Sequence, residues 1–499
     1  MLSVLGSPKR ACDGIVRRDL LRAGTLGLLG GMTLPQLLRA EQAVAGRDRT
    51  TRRRHHVQEG WLQPGKAKSV ILLYLFGGPA TQDMFDLKPD GPRESRGEFA
   101  PISSSVPGFD ISEHLPLSAR WTSRSAIVRS VHHEAGCHNG IPSLTGFNGT
   151  SKSGNPDFES PQDPPSMGSV CDYVGLGDDP QMPTYVHMPN YMGWGRGFYR
   201  AGARGGFIGK QFDPLYTVCQ PTVEKPAHRD VSQVVCGTPK LPNLNPEISV
   251  DRLNLRHSLR EQIDNKLREF GGSPAVRAHD KQYQQAFSLL TSSECRKAFD
   301  LQAAHPKQRE RYGPSLFGES VLIARRLVQA GARFVTACWE NYWISNGIAA
   351  KSPGDIDYNA WDTHTLNFKL LRELNLPVFD QAYSALMEDL DRTGLLDETL
   401  VVVMGEMGRT PKVNKKAGRD HWTHCYSVLF SGAGIRGGTV CGSSDARAAF
   451  PASNPVTPAD IVSTIYRCLG INPETPVYEP NSRPVPIHHG GKPIEAILA

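Results

Sequence analysis

Three short runs, Trp361-Asp362-Thr363-His364, Gly405-Glu406-Met407-Gly408-Arg409-Thr410-Pro411 and Gly418-Arg419-Asp420-His421-Trp422, gather carboxylates and imidazoles near the end of the chain. Carboxylate oxygen and imidazole nitrogen are the donors that hold zinc, calcium, manganese or magnesium, so the chemistry they suggest is that of a divalent ion. Asp362 and His364 stand two apart, and in an extended segment both side chains leave one face and can share an ion. Alone, such a pair reads as a capped turn with a solvent-facing histidine; the two neighbouring runs shift the reading to a metal site. Glu406 by itself suits an exposed acid paired with Arg409 as well as a ligand, and the Arg409 fork also suits a tetrahedral or planar anion. His421 beside Asp420 is a further candidate ligand, although its tryptophan neighbour equally suits a packed structural histidine. His132, His133 and His138 form a second imidazole patch, for which ligation and core hydrogen bonding are even readings.

Such groups need a scaffold that brings distant loops together. Ser69 to Phe76 (SVILLYLF) is a continuous apolar run ending at Gly77-Gly78-Pro79, as expected of a central strand buried on both faces, and 126–131 reads as a second strand leading to His138. Phe317, Val321, Ala324 and Val328 share a helical face that stops at Gly331, before a strand over 333–338. Pro377 opens a helix that Gly394 closes, Thr399 to Met404 is the next buried strand, and Thr457-Pro458-Ala459-Asp460 caps a helix that Gly470 ends. Between these halves, 151–244 is rich in Gly and Pro and reads as an irregular elaboration over the sheet. Residues 251–270 read as a surface helix within a helical segment reaching about Leu301. Alternating helices and apolar strands imply an α/β domain with a mainly parallel sheet covered on both faces, whose ligands gather at the strands' carboxyl ends. Asp83, His138 and Glu406 all fall shortly after such strands.

The start of the chain has a different character. Arg17-Arg18-Asp19-Leu20-Leu21 precedes a short, glycine-interrupted apolar stretch and Ala43-Val44-Ala45, the pattern of a twin-arginine export signal over 1–45. A basic linker over 46–68 follows, then a single domain over 69–499 with an insertion at about 151–310. The apolar stretch is too short for a stable membrane span. Six basic and three acidic residues leave with the signal, taking the formal charge from +6 to +3, which gives no case for nucleic acid. The remaining cysteines show no Cys-x-x-Cys pair, and neither a Gly-x-Ser-x-Gly elbow nor a Walker sequence occurs.

Along nearly its whole length the chain resembles the exported, planctomycete-type bacterial proteins catalogued as domain of unknown function 1501. The resemblance rests on Arg17-Arg18-Asp19-Leu20-Leu21-Arg22, Phe76-Gly77-Gly78-Pro79, Asp83-Met84-Phe85-Asp86-Leu87-Lys88-Pro89, Ser105-Val106-Pro107-Gly108 and the three runs above. It implies an alkaline-phosphatase-like three-layer sandwich of the phosphatase and sulfatase superfamily, with an irregular plus helical insertion. By the same resemblance Asp83, Asp362, His364, Glu406 and His421 would hold a divalent metal ion. Three features depart from that pattern: Cys137-His138-Asn139-Gly140-Ile141-Pro142-Ser143 replaces the sulfatase nucleophile motif before Leu144-Thr145-Gly146, Thr81 or Gln82 stands where relatives often carry a histidine, and Glu406 stands where sulfatases and phosphatases usually show an Asp-His pair.

The function expected is therefore an exported metal-dependent hydrolase of phosphate or sulfate esters. His138 would act as general acid or base and Arg409 would hold the anionic group. An anionic ester or sulfated polysaccharide is the expected substrate, and the twin-arginine translocase the partner during export. Cys137, Ser143 and Thr145 are the local nucleophile candidates. The competing expectation is a non-catalytic exported scaffold that keeps the fold and a structural ion.

Overall fold

A computed structural model describes residues 60–136, 138–177, 182–193, 198–224, 234–241, 292–302, 304–340 and 361–499. The export signal, most of the linker, the helix expected over 251–270 and Cys137 lie outside the described residues.

Eight strands form the central sheet: β1 (Ser69–Leu75), β2 (Ser125–Val131), β3 (Tyr185–Met188), β4 (Leu215–Tyr216), β5 (Phe334–Trp339), β6 (Thr399–Met404), β7 (Tyr426–Gly432) and β8 (Thr439–Cys441). Their spatial order is β8-β2-β7-β6-β1-β5-β3-β4. β1 pairs in parallel with both β5 and β6, and every neighbouring pair is parallel except those made by β7, which runs opposite to β6 and β2. All seven residues of β1 are buried, as expected of a strand covered on both faces.

Alternate side chains of each strand feed two separate cores. Ile71, Leu73, Val401 and Val403 pack with helices α2 (Leu316–Gln329) and α3 (Leu376–Arg392). Val70, Leu72, Leu400 and Val402 pack with α4 (Pro458–Leu469) on the other face, alongside the short helix α1 (Gly140–Thr145), whose Leu144 joins the same core. The result is the three-layer α/β sandwich with a mainly parallel sheet anticipated above. A reciprocal capping box between Thr457 and Asp460 starts α4, and Gly470 in the left-handed region ends it.

Three readings need revision. The stretch taken as an elaboration over the sheet supplies two of its strands, β3 and β4, too short to stand out among Gly and Pro. The linker expected to reach 68 is packed from Trp61 onward, because Trp61 stacks on Tyr173 at 5.8 Å and Ala67 N–H bonds to Cys468 O at 2.9 Å. Pro377 stands in the first turn of α3 as expected, but the chain is already helical before it: residues Asn367–Leu370 and a π turn over Leu371–Asn375 lead directly into α3. Proline has no N–H for the preceding turn, and the wider π geometry sits immediately before it.

His187 on β3 is fully enclosed, and among the described residues neither ring nitrogen has a hydrogen-bond partner. Burial pushes its pKa down to about 3. An unfolded histidine titrates near 6.5, so below that pH the unfolded chain takes a proton that the folded one refuses. Stability is then expected to fall by about 1.4 kcal/mol for each pH unit from 6.5 towards 3. Melting temperatures followed against pH should show this acid limb, flattened in His187→Leu.

Candidate metal centre

Every segment that carries the site arrives at the carboxyl ends of the parallel strands. Gly77 follows β1, His138 follows β2, Asp362 and His364 come after β5, Glu406 follows β6, and His421 precedes the antiparallel β7. Two glycines permit the close approach. Gly77, at φ +115°, turns the chain after β1, and a Cβ there would lie 2.6 Å from the Asp362 nitrogen. Gly418 lies so close to the His364 carbonyl that no Cβ fits between them.

Asp362 is the focus. His138 Nε2 lies 3.1 Å from its Oδ2, while His421 Nε2 and His364 Nε2 each lie 3.1 Å from Oδ1. The Nε2 atoms of His364 and His421 are 2.9 Å apart. Donor atoms of His138, Asp362 and His421 all fall within 4.8 Å of one another. Ligands at 2.0–2.1 Å around a tetrahedral zinc would be separated by roughly 3.3 Å, and the 3.1 Å separations of His138 and His421 from Asp362 lie close to that.

Two of these imidazoles have their outer nitrogens held by carboxylates. Glu406 Oε1 accepts from His138 Nδ1 at 2.9 Å, and Asp420 Oδ1 accepts from His364 Nδ1 at 2.8 Å. Placing the proton on Nδ1 leaves Nε2 bare towards the centre, the outer-shell arrangement of metal-binding histidines. Glu406 is itself fixed, since both its oxygens accept from Gly77 N–H, at 3.0 and 3.1 Å. His138 holds its position with φ at +50°, a conformation costly for a non-glycine residue and found where geometry is functional.

The residues expected as ligands divide accordingly. Asp362, His364 and His421 meet, and Glu406 stands behind His138 instead of facing the centre. His138, expected as acid or base, joins the cluster. Asp83 is elsewhere: its oxygens accept from Arg419 Nε and a terminal nitrogen, both at 2.8 Å, and from Asn367 at 2.9 Å. Arg409 is fully buried and spends its donors on Gly78 O at 2.8 Å, Arg419 O at 3.2 Å, Gly77 O and the Asp362 carboxylate. Gln82 bonds to the Arg409 carbonyl at 2.9 Å.

A family model described as protein of unknown function (DUF1501) matches residues 67–498. The chain belongs to this family. No curated protein sequence matches it. Among solved structures it is similar to Ps i-CgsB in complex with k-i-k-neocarrahexaose (11% identity, TM-score 0.37, covering 86% of this chain and 75% of that one). It is also similar to a protein in the alkaline phosphatase superfamily from Vibrio parahaemolyticus (10%, 0.35, 94% and 80%). A third is the phosphonate monoester hydrolase SpPMH from Silicibacter pomeroyi (10%, 0.34, 87% and 76%). Among the described residues of this DUF1501 member no helix is long and apolar enough to cross a membrane.

Protonation couples these groups. Burial alone would raise the Asp362 pKa, but hydrogen bonds from His138, His364 and His421, with Arg409 nearby, hold it far below the carboxylate range. Burial likewise opposes charge on His138, yet Asp362 and Glu406 outweigh it and lift its pKa to about 9. His364 is raised chiefly by Asp362, whereas burial lowers His421. An ion at the centre must displace the His138 proton. Apparent zinc affinity is therefore expected to tighten about tenfold per pH unit from 7 to 9 and level off above, as measured by calorimetric titration.

Proposed function

We propose that this protein is an exported metal-dependent hydrolase of phosphate or sulfate esters. The observation that carries the reading is the convergence of three Nε2 atoms on Asp362, two of them backed by carboxylates. His138, Asp362 and His421 would hold the ion, with His364 as a fourth donor. Bound there, a divalent cation would supply Lewis acidity towards an ester oxygen and lower the pKa of a water.

The protein's own groups then have definite tasks. Glu406 keeps the His138 proton on Nδ1, and Arg409 anchors the Asp362 carboxylate while balancing its charge. His364 sits at the rim with its side chain 41% exposed and Asp420 behind it, so that its Nε2 would complete the ligand set on the solvent side of the ion. A sulfated or phosphorylated carbohydrate is the substrate class we favour.

One observation favours the alternative, a scaffold that keeps the ion without turnover. Ser143 is enclosed and bonded to Tyr74 at 2.7 Å, Thr145 is enclosed and bonded to Ile141 O at 2.7 Å, and the Arg409 guanidinium faces carbonyls instead of a cleft. Hydrolysis would then depend on water as the nucleophile, or on Cys137, which lies outside the described residues. Aryl phosphate and aryl sulfate assays on the metal-analysed full chain, before and after chelation, separate the two. Metal-dependent turnover supports the hydrolase; one tightly held ion with no turnover on either ester supports the scaffold.

A further inference from the structure

We infer that His133 is a positioning residue for the metal centre, acting through the Glu406 backbone. This rests on the metal reading above but adds a group that is not among the ion's donors. His133 is 2% exposed, and its Nε2 donates to Glu406 O at 2.7 Å. Glu406 lies just beyond the end of β6, where the sheet ladder no longer satisfies its carbonyl.

The same residue reaches the other two segments of the site. Its backbone N–H bonds to Thr423 O at 2.9 Å, two residues beyond His421, and His138 lies five residues further along its own strand exit. His133 thus ties together the stretches that carry His138, Glu406 and His421. The ring stands edge-on to Tyr426 at 6.0 Å, which fixes its plane against β7. Because Glu406 sets the Nδ1 proton of His138, a shift of the Glu406 main chain moves the direction in which His138 Nε2 points. Removing the His133 donor also leaves a buried carbonyl without its partner.

The test is zinc titration into the metal-free full chain, with folding followed by circular dichroism. His133→Gln places an amide nitrogen near the Nε2 position and should stay within a few-fold of wild type. His133→Asn keeps polarity but cannot reach the carbonyl, and should weaken zinc binding by up to about 10-fold, the lower end of the cost of losing a ligand's own outer-shell partner. His133→Leu should match it if it folds. Equal affinities for the Gln and Asn variants would overturn the inference even if the Leu variant fails to fold. A wild-type chain that binds no zinc would instead take down the metal reading itself, and this inference with it.

Discussion

Asp362→Ala is expected to abolish stoichiometric zinc binding while leaving a folded chain. Among the described residues Asp362 is the group to which all three imidazoles point, so its loss removes a ligand and the charge that draws them together. Losing an outer-shell partner alone costs about 10–100-fold, and losing a direct ligand should exceed about 100-fold. Arg409 keeps its bonds to Gly77 O, Gly78 O and Arg419 O, and the Asp362 side chain is 20% exposed, so water can take the place of the lost carboxylate. Asp362→Asn preserves the shape and one acceptor for Arg409, and separates charge from packing. Elemental analysis of both variants after gel filtration gives the measurement. An unchanged ion content in Asp362→Ala would remove the centre from consideration.

The largest stability effect is expected at Asp83 and Arg419. The pair is bidentate and almost wholly enclosed, and Arg419 also donates to Thr410 O at 3.1 Å and Ser95 O at 3.2 Å. Asp83→Ala strands a buried guanidinium, a loss of about 3–5 kcal/mol that is a large part of an ordinary domain's stability. Thermal melts should drop by roughly 3–5 °C. The double variant Asp83→Leu/Arg419→Met should recover much of that loss, because an apolar pair of similar volume avoids desolvating two charges. The folded fraction of Asp83→Ala should still bind zinc at wild-type stoichiometry, since the Asp83 carboxylate is directed at Arg419 and Asn367. Loss of zinc from a folded Asp83→Ala protein would restore Asp83 to the ligand set.

Much of the sheet was legible because its central strands are fully buried. β1 and β6 appear in the sequence as unbroken apolar runs, and α4 carries its own start and stop residues. β3 and β4 were not legible, being four and two residues long within a Gly- and Pro-rich stretch. Nor was β7, the strand whose reversal delivers His421 to the same sheet edge as Glu406.

The site divides along the same line. Asp362, His364 and His421 could be picked out because residue type and spacing carry the information. Asp83 looked like their companion because a carboxylate after a strand reads the same whether its partner is an ion or an arginine 336 residues away. His138 was visible as an imidazole after a strand, but its membership of the cluster depends on a backbone conformation that sequence does not display.

The placement of β1 between β5 and β6 bears on how the chain is made. Synthesised early, β1 has no partner on either side until its neighbours emerge, the Thr399 end of β6 being 330 residues downstream. β5 emerges first, Phe334 being 264 residues after its partner Val70, so at about 5–20 residues per second both edges of β1 stay unpaired for roughly 13–53 s. During that interval it offers both edges to any other nascent polypeptide, so holding chaperones should be found on the ribosome-bound chain.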